Sequence, residues 1–119
     1  MRAKPAAFVV SVGLLSAAMP VLGHHSFKAQ YDETQPITLN GTVTKLIWKN
    51  PHVLLDVDVK GGTGEVTKWE LELDSPNGLL SQGWKVDSFK AGDRVIVSGY
   101  RAKNGSNSAR ARKVTLAAR

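Results

Sequence analysis

Three histidines, His24, His25 and His52, carry most of the chemistry this sequence can offer. Neutral imidazole is the commonest metal-binding side chain. Two of the three are adjacent, in the run His24-His25-Ser26-Phe27, directly behind an apolar N-terminal segment. Removal of that segment after Gly23 gives His24 a free α-amine, and the amine and Nδ1 of one residue form a chelate. A further imidazole from His25 or His52 completes a T-shaped or square-planar nitrogen set. Such a set favours Cu(II), which also heads the divalent affinity order. Removal one residue earlier leaves Gly23-His24-His25, which binds Cu(II) through amine, backbone amides and imidazole. Removal after Ala18 instead leaves the pair inside a short tail that begins at Met19. The plainer alternative is a solvated His pair, with His52 fixing the start of a strand by one hydrogen bond. Asp32 and Glu33 are the nearest carboxylates in sequence, and are either outer partners of such a metal or surface charges.

The other residue types exclude more than they suggest. The chain has no cysteine. Thiolate catalysis, zinc–thiolate sites, iron–sulfur clusters and disulfides are therefore excluded, and a fold exported without disulfides relies on its own core. No GxSxG nucleophile motif is present. Asp56 with Asp58, and Glu70 with Glu72, each lie two apart, the ordinary spacing of a strand's polar face. Gly61-Gly62-Thr63-Gly64 lacks the strand-to-helix setting of a phosphate loop and reads as a hairpin turn. Trp48 and Tyr100 are the candidates for a stacking platform, with Lys45, Lys49 and Arg101 close in sequence. The competing reading packs Trp48 under the N-terminal arm against Phe27. The basic residues Arg101, Lys103, Arg110, Arg112, Lys113 and Arg119 read as a solvated face, with contact to anionic lipid or polysaccharide as the alternative.

The elements that must position these residues follow from patterning. Arg2 and Lys4, the apolar run Ala6–Ala18, Pro20 and then Val21-Leu22-Gly23 form the three-part secretory pattern over residues 1–23. The run is short of the ~20 apolar residues that span a bilayer. No cysteine follows it to carry a lipid. The expected location is the periplasm or the exterior, without stable membrane insertion and without a nucleic-acid partner. Without Arg2 and Lys4, 14 of the 16 basic residues face 10 acidic ones. That mild excess serves solubility.

Residues 24–36 read as a polar arm and residues 37–119 as one small domain. Val, Thr and Leu alternate with period two and are punctuated by Gly, Asn and Pro, an all-β signature. Strands are expected at Ile37–Trp48, His52–Lys60, Glu65–Leu73, Arg94–Tyr100 and Ala109–Leu116. The alternation slips at Leu46-Ile47-Trp48, which implies a bulge or coil in a long first strand. Asp74-Ser75-Pro76-Asn77 starts a short helix that ends near Gly83. Three strands, a helix and two strands is the order of the OB-fold, a partly open five-stranded barrel. The expected class is thus an all-β, five-stranded OB-like barrel with one short helix between strands 3 and 4. A small open sandwich is the alternative.

The runs His24-His25-Ser26-Phe27, Tyr31-Asp32, Pro36-Ile37-Thr38-Leu39, Gly41-Thr42-Val43, Asn50-Pro51-His52, Trp69-Glu70, Ser75-Pro76-Asn77, Gly83-Trp84 and Gly92-Asp93 together resemble a family of small exported bacterial proteins, the domain of unknown function 6152. The resemblance implies a periplasmic or secreted β-barrel protein and implies no established activity. The functional expectation is a non-enzymatic binding or accessory protein of the cell envelope, with copper or a similar metal at His24, His25 and His52. The rival is a barrel-face binder of an envelope saccharide or partner protein through Trp48 and Tyr100. An enzyme, including a copper-dependent one, stands third.

Overall fold

A computed structural model describes residues 30–119. The elements run in the order β1 (Tyr31–Ile47), β2 (Leu54–Lys60), β3 (Val66–Glu72), α1 (Pro76–Ser81), β4 (Arg94–Ala102) and β5 (Ser108–Ala118). The strands close into a barrel in the order β1-β2-β3-β5-β4. Among the described residues only β3 and β5 pair in parallel, through Glu70–Glu72 and Ser108–Arg110, and the other four pairings are antiparallel. This is the OB-like barrel, with its helix between the third and fourth strands.

The barrel closes because β1 serves two neighbours. Its first part pairs with β4, its last part with β2, and Thr42 pairs with both Arg94 and Asp58. A register shift between Val43 and Lys45 marks the bend. An extra residue in one strand of a pair bends it and increases its twist. The extra residue here is Thr44, not one of the apolar triplet Leu46-Ile47-Trp48. It switches the inward positions from Ile37, Leu39 and Val43 to Leu46 and Trp48, all packed on or within the core. The triplet is the consequence of the bulge rather than its site.

β1 also begins earlier than patterning predicts, at Tyr31 instead of Ile37. Asp32 to Gln35 are polar and do not alternate. A register shift between Tyr31 and Pro36 interrupts this stretch, and Asp32 accepts from the Thr34 amide at 2.9 Å and the Thr34 hydroxyl at 2.6 Å. Those bonds hold the exposed Asp32 carboxyl below the usual range. Tyr31, 8% exposed, supplies the anchor that the polar stretch lacks.

Clean alternation fills the interior. Leu55 and Val57 point inward from β2 with Val53 just ahead of it, Trp69 and Leu71 from β3 with Leu73 just after it, and Val95 and Val97 from β4, each 8% exposed or less. Full burial of one Val or Leu side chain is worth about 1.5–3 kcal/mol. Ser75 caps α1 by accepting from the Gly78 amide at 3.1 Å, Pro76 opens its first turn, and Leu79 joins the core. Gly99 sits where a register shift brings β4 against β5, and a Cβ there would collide with the Arg110 carbonyl.

Candidate functional site

His52 stands where β2 begins. The second strand proper starts at Leu54, but Val53 extends the ladder, donating to the Asp74 carbonyl at 3.1 Å and accepting from the Leu73 amide at 2.8 Å. His52 therefore leaves the sheet one residue beyond its last paired position, behind the cis Asn50–Pro51 peptide. The Gly61–Gly64 hairpin fixes the register of β2 on β3, with Lys60 opposite Val66 and Leu54 opposite Glu72. That register brings the end of β3 beside His52.

Glu72 is the junction of the site. Its Oε2 lies 2.6 Å from His52 Nδ1, and its Oε1 accepts a 2.5 Å hydrogen bond from the Tyr31 hydroxyl. The His52 side chain is 42% exposed and that of Glu72 20%. At neutral pH a carboxylate accepts and does not donate, so the shared proton belongs to Nδ1. His52 Nε2 makes no hydrogen bond among the described residues. Burial pushes the Tyr31 phenol well above its ordinary range, and the Glu72 hydrogen bond and charge add to that, while Arg110 works against it. Tyr31 thus remains a donor. Arg110, opposite Glu72 on β5, is turned to Asp74 and to the Leu73 carbonyl, the latter at 2.5 Å. Three strands and the β1–β2 loop meet at this rim.

The remaining sequence candidates among the described residues lie on separate elements. His24 and His25 lie outside the described residues. Trp48 is half-buried and packs against the core, and Phe27, its expected cover, also lies outside the described residues. Tyr100 lies on β4, with the Arg112 guanidinium 5.8 Å from its ring centre. Asp56 pairs across the sheet with Glu70, and Asp58 lies opposite Lys68, whose Nζ is 3.6 Å from it. Much of the basic run is engaged internally. Arg101 stacks 5.0 Å over Trp69 and donates to Gly105 and Asn107, and Arg119 donates to the Ser88 carbonyl. Among the described residues no three His, Asp or Glu side chains are grouped to hold a metal, and no helix is long and apolar enough to cross a membrane. A cleft of about 480 Å³ beside Asn40, Lys60 and Arg94, and one of about 150 Å³ beneath Trp84, are not lined by His52, Trp48 or Tyr100.

Residues 10–111 match the sequence profile of a family described as a family of unknown function (DUF6152). The chain belongs to this family. No curated protein matches the sequence. Within this DUF6152 domain the motifs of the sequence divide by role. Ser75-Pro76-Asn77 caps and opens α1. Gly92-Asp93 closes the turn before β4, with Gly92 at φ +95° and the Asp93 carboxylate accepting from the Lys90 amide at 2.9 Å. Asn50-Pro51-His52 instead supplies the exposed rim, and the buried Tyr31 is joined to it through Glu72.

Sequence reasoning missed Glu72 as the partner of His52. It looked to Asp32 and Glu33 by proximity, whereas Asp32 is engaged with Thr34 and Gln35. It also read Glu70 and Glu72 as one polar face. The available signal was the glycine-rich hairpin, whose register sets residue 72 diagonal to residue 52.

Proposed function

We propose that this protein is an exported, non-enzymatic binding protein of the cell envelope that takes a copper-class metal ion through His52 and the His24-His25 pair. The observation that carries the reading is the Glu72-held imidazole of His52. A histidine whose Nδ1–H is fixed on a carboxylate, with Nε2 facing away from it, has the arrangement that metal-ligating histidines adopt. Tyr31, which holds the other oxygen of Glu72, follows His25 by six residues in the chain. A lone imidazole cannot retain an ion, so this reading takes the remaining nitrogens from His24 and His25. The absence of cysteine is consistent with an all-nitrogen set. The secretory pattern of residues 1–23 supports export.

Saccharide or partner binding across the barrel face, through Trp48 and Tyr100, draws less support. Trp48 packs inward on the core, and Tyr100 is covered in part by Arg112.

Competitive titration with Cu(II) tests the proposal on protein recovered after export, its N-terminal residue determined. Tight one-to-one binding, weakened at least tenfold in both His24→Ala and His52→Ala, is the expected result. Equal affinity in wild type and His52→Ala would remove the site.

A further inference from the structure

A polar cleft opens on the outer face of the barrel where β1 runs between β2 and β4. We propose that it binds an acidic saccharide unit, with the sugar's carboxylate on Arg94 and Lys60 and its hydroxyls on Asp58, Thr42 and Asn40. The cleft shares no lining residue with the His52 rim, so its occupancy does not depend on a metal at His52.

The sheet register builds the cleft. Thr42 is paired with Asp58 on one side and with Arg94 on the other, so the three residues form one row across three strands. Each is followed or preceded by a buried valine, Val43, Val57 or Val95, and therefore faces outward. Neighbouring strands lie about 4.8 Å apart, which puts the backbones of Asp58 and Arg94 about 10 Å apart across the row. Asn40 and Lys60 lie two residues away on β1 and β2, toward the same end and on the same face. Ala117, skipped where β4 and β5 shift register, adds little bulk to the wall. The space is about 480 Å³, within the range of small-molecule sites.

The charged groups that line this space are uncommitted. The Lys60 ammonium and the Arg94 guanidinium make no ion pair or hydrogen bond among the described residues, unlike the guanidinium groups of Arg101, Arg110 and Arg119. The Asp58 carboxylate accepts no hydrogen bond there either. Its charged neighbour, Lys68 Nζ, stands 3.6 Å away on a side chain that is 86% exposed. Two cations against one carboxylate suit a monoanion. The planar fork of Arg94 matches a carboxylate, and Lys60 adds a point charge. Asp58 accepts and does not donate, so it repels a bare anion and calls for a donor on the ligand. The matching ligand carries an anion at one end and donors at the other. A sugar acid does so, and its ring hydroxyls can exchange hydrogen bonds with Thr42 and Asn40 between the two charges. An amino acid carries its carboxylate and ammonium on one carbon, too close together to serve strands on both sides of β1.

Titration of the full chain with glucuronate, glucose and inorganic phosphate, followed by backbone amide shifts, tests the site. Glucuronate is expected to saturate with a dissociation constant of about 1 mM, the level an open cleft gives so small a ligand. The largest shifts are expected at Gly41, Thr42 and Asp58. Glucose should bind at least about tenfold more weakly, the weight of a charge-assisted hydrogen bond, and Arg94→Gln should weaken glucuronate by the same factor. Asp58→Ala gives the sharpest contrast: it should weaken glucuronate about fivefold and strengthen phosphate, because a like charge is gone. Phosphate or glucose binding as tightly as glucuronate to wild type would overturn the sugar-acid assignment. Shifts that do not saturate, or glucuronate affinity unchanged in both Arg94→Gln and Lys60→Gln, would remove the site. Both side chains are exposed, so neither variant threatens the fold.

Discussion

Two carboxylates with two partners each, Asp93 and Glu72, do different work in this barrel. Asp93 is 5% exposed. It accepts from the Lys90 amide at 2.9 Å and lies 3.7 Å from the Arg119 guanidinium. Its own backbone is stitched to the bulge of β1, with Val43 donating to the Asp93 carbonyl and Gly92 to the Val43 carbonyl, both at 2.8 Å. Every strong bond it makes is local or to main chain, so it closes a turn and fixes where β4 starts. Glu72 instead joins two side chains, one from β1 and one from the β1–β2 loop, at an exposed rim. It closes no turn, but it decides which way an imidazole faces. A buried carboxylate on a backbone amide is a folding device, whereas one shared between a phenol and a histidine orients an imidazole.

The architectural side of this comparison should show the largest effects on stability. Gly99→Ala, which drives a methyl group into the Arg110 carbonyl, should cost about 3 kcal/mol in urea unfolding. It should do so although it touches neither carboxylate. Asp93→Ala removes a buried acceptor and orphans the Lys90 amide, a loss of about 2 kcal/mol, and should leave the His52 ¹⁵N spectrum unchanged. Movement of that spectrum in Asp93→Ala would break the division between the two regions.

Tyr31→Phe should cost less, about 1 kcal/mol at neutral pH. Its alkaline behaviour sharpens the point. The folded phenol titrates well above the ordinary value of 10.0, chiefly through burial, whereas the unfolded phenol titrates near that value. Above about pH 10 the unfolded state has therefore lost a proton that the native state keeps, and stability falls as pH rises. Below that pH the contribution is fully present. Wild type should lose stability relative to Tyr31→Phe as pH climbs past 10, and parallel curves would contradict the burial of the hydroxyl.

The fold was legible because its signals are local. Val53, Leu55 and Val57 alternate, Ser75-Pro76 announces a helix start, and Gly61–Gly64 announces a hairpin. Barrel closure by the parallel β3–β5 pairing follows from that order of elements. What local signals misplaced is instructive. The bulge sits at Thr44, ahead of the apolar triplet that betrays it, because a phase change becomes visible only downstream. The start of β1 at Tyr31 was hidden by a polar stretch in which Thr34 and Gln35 bond to the Asp32 carboxylate. The site was half legible. His52 stood out by type, but its partner lies at the far end of β3, and Tyr31 looked like part of a polar arm. A hydrogen bond between residues 31 and 72 has no sequence signature until the barrel brings their strands together.

The proposed role of His52 as a nitrogen ligand is tested most directly by the electron paramagnetic resonance spectrum of protein recovered after export and loaded with one equivalent of Cu(II). The expected result is a tetragonal, all-nitrogen spectrum that loses one nitrogen coupling in His52→Ala. An identical spectrum in wild type and His52→Ala, or equatorial oxygen in place of nitrogen, would contradict it.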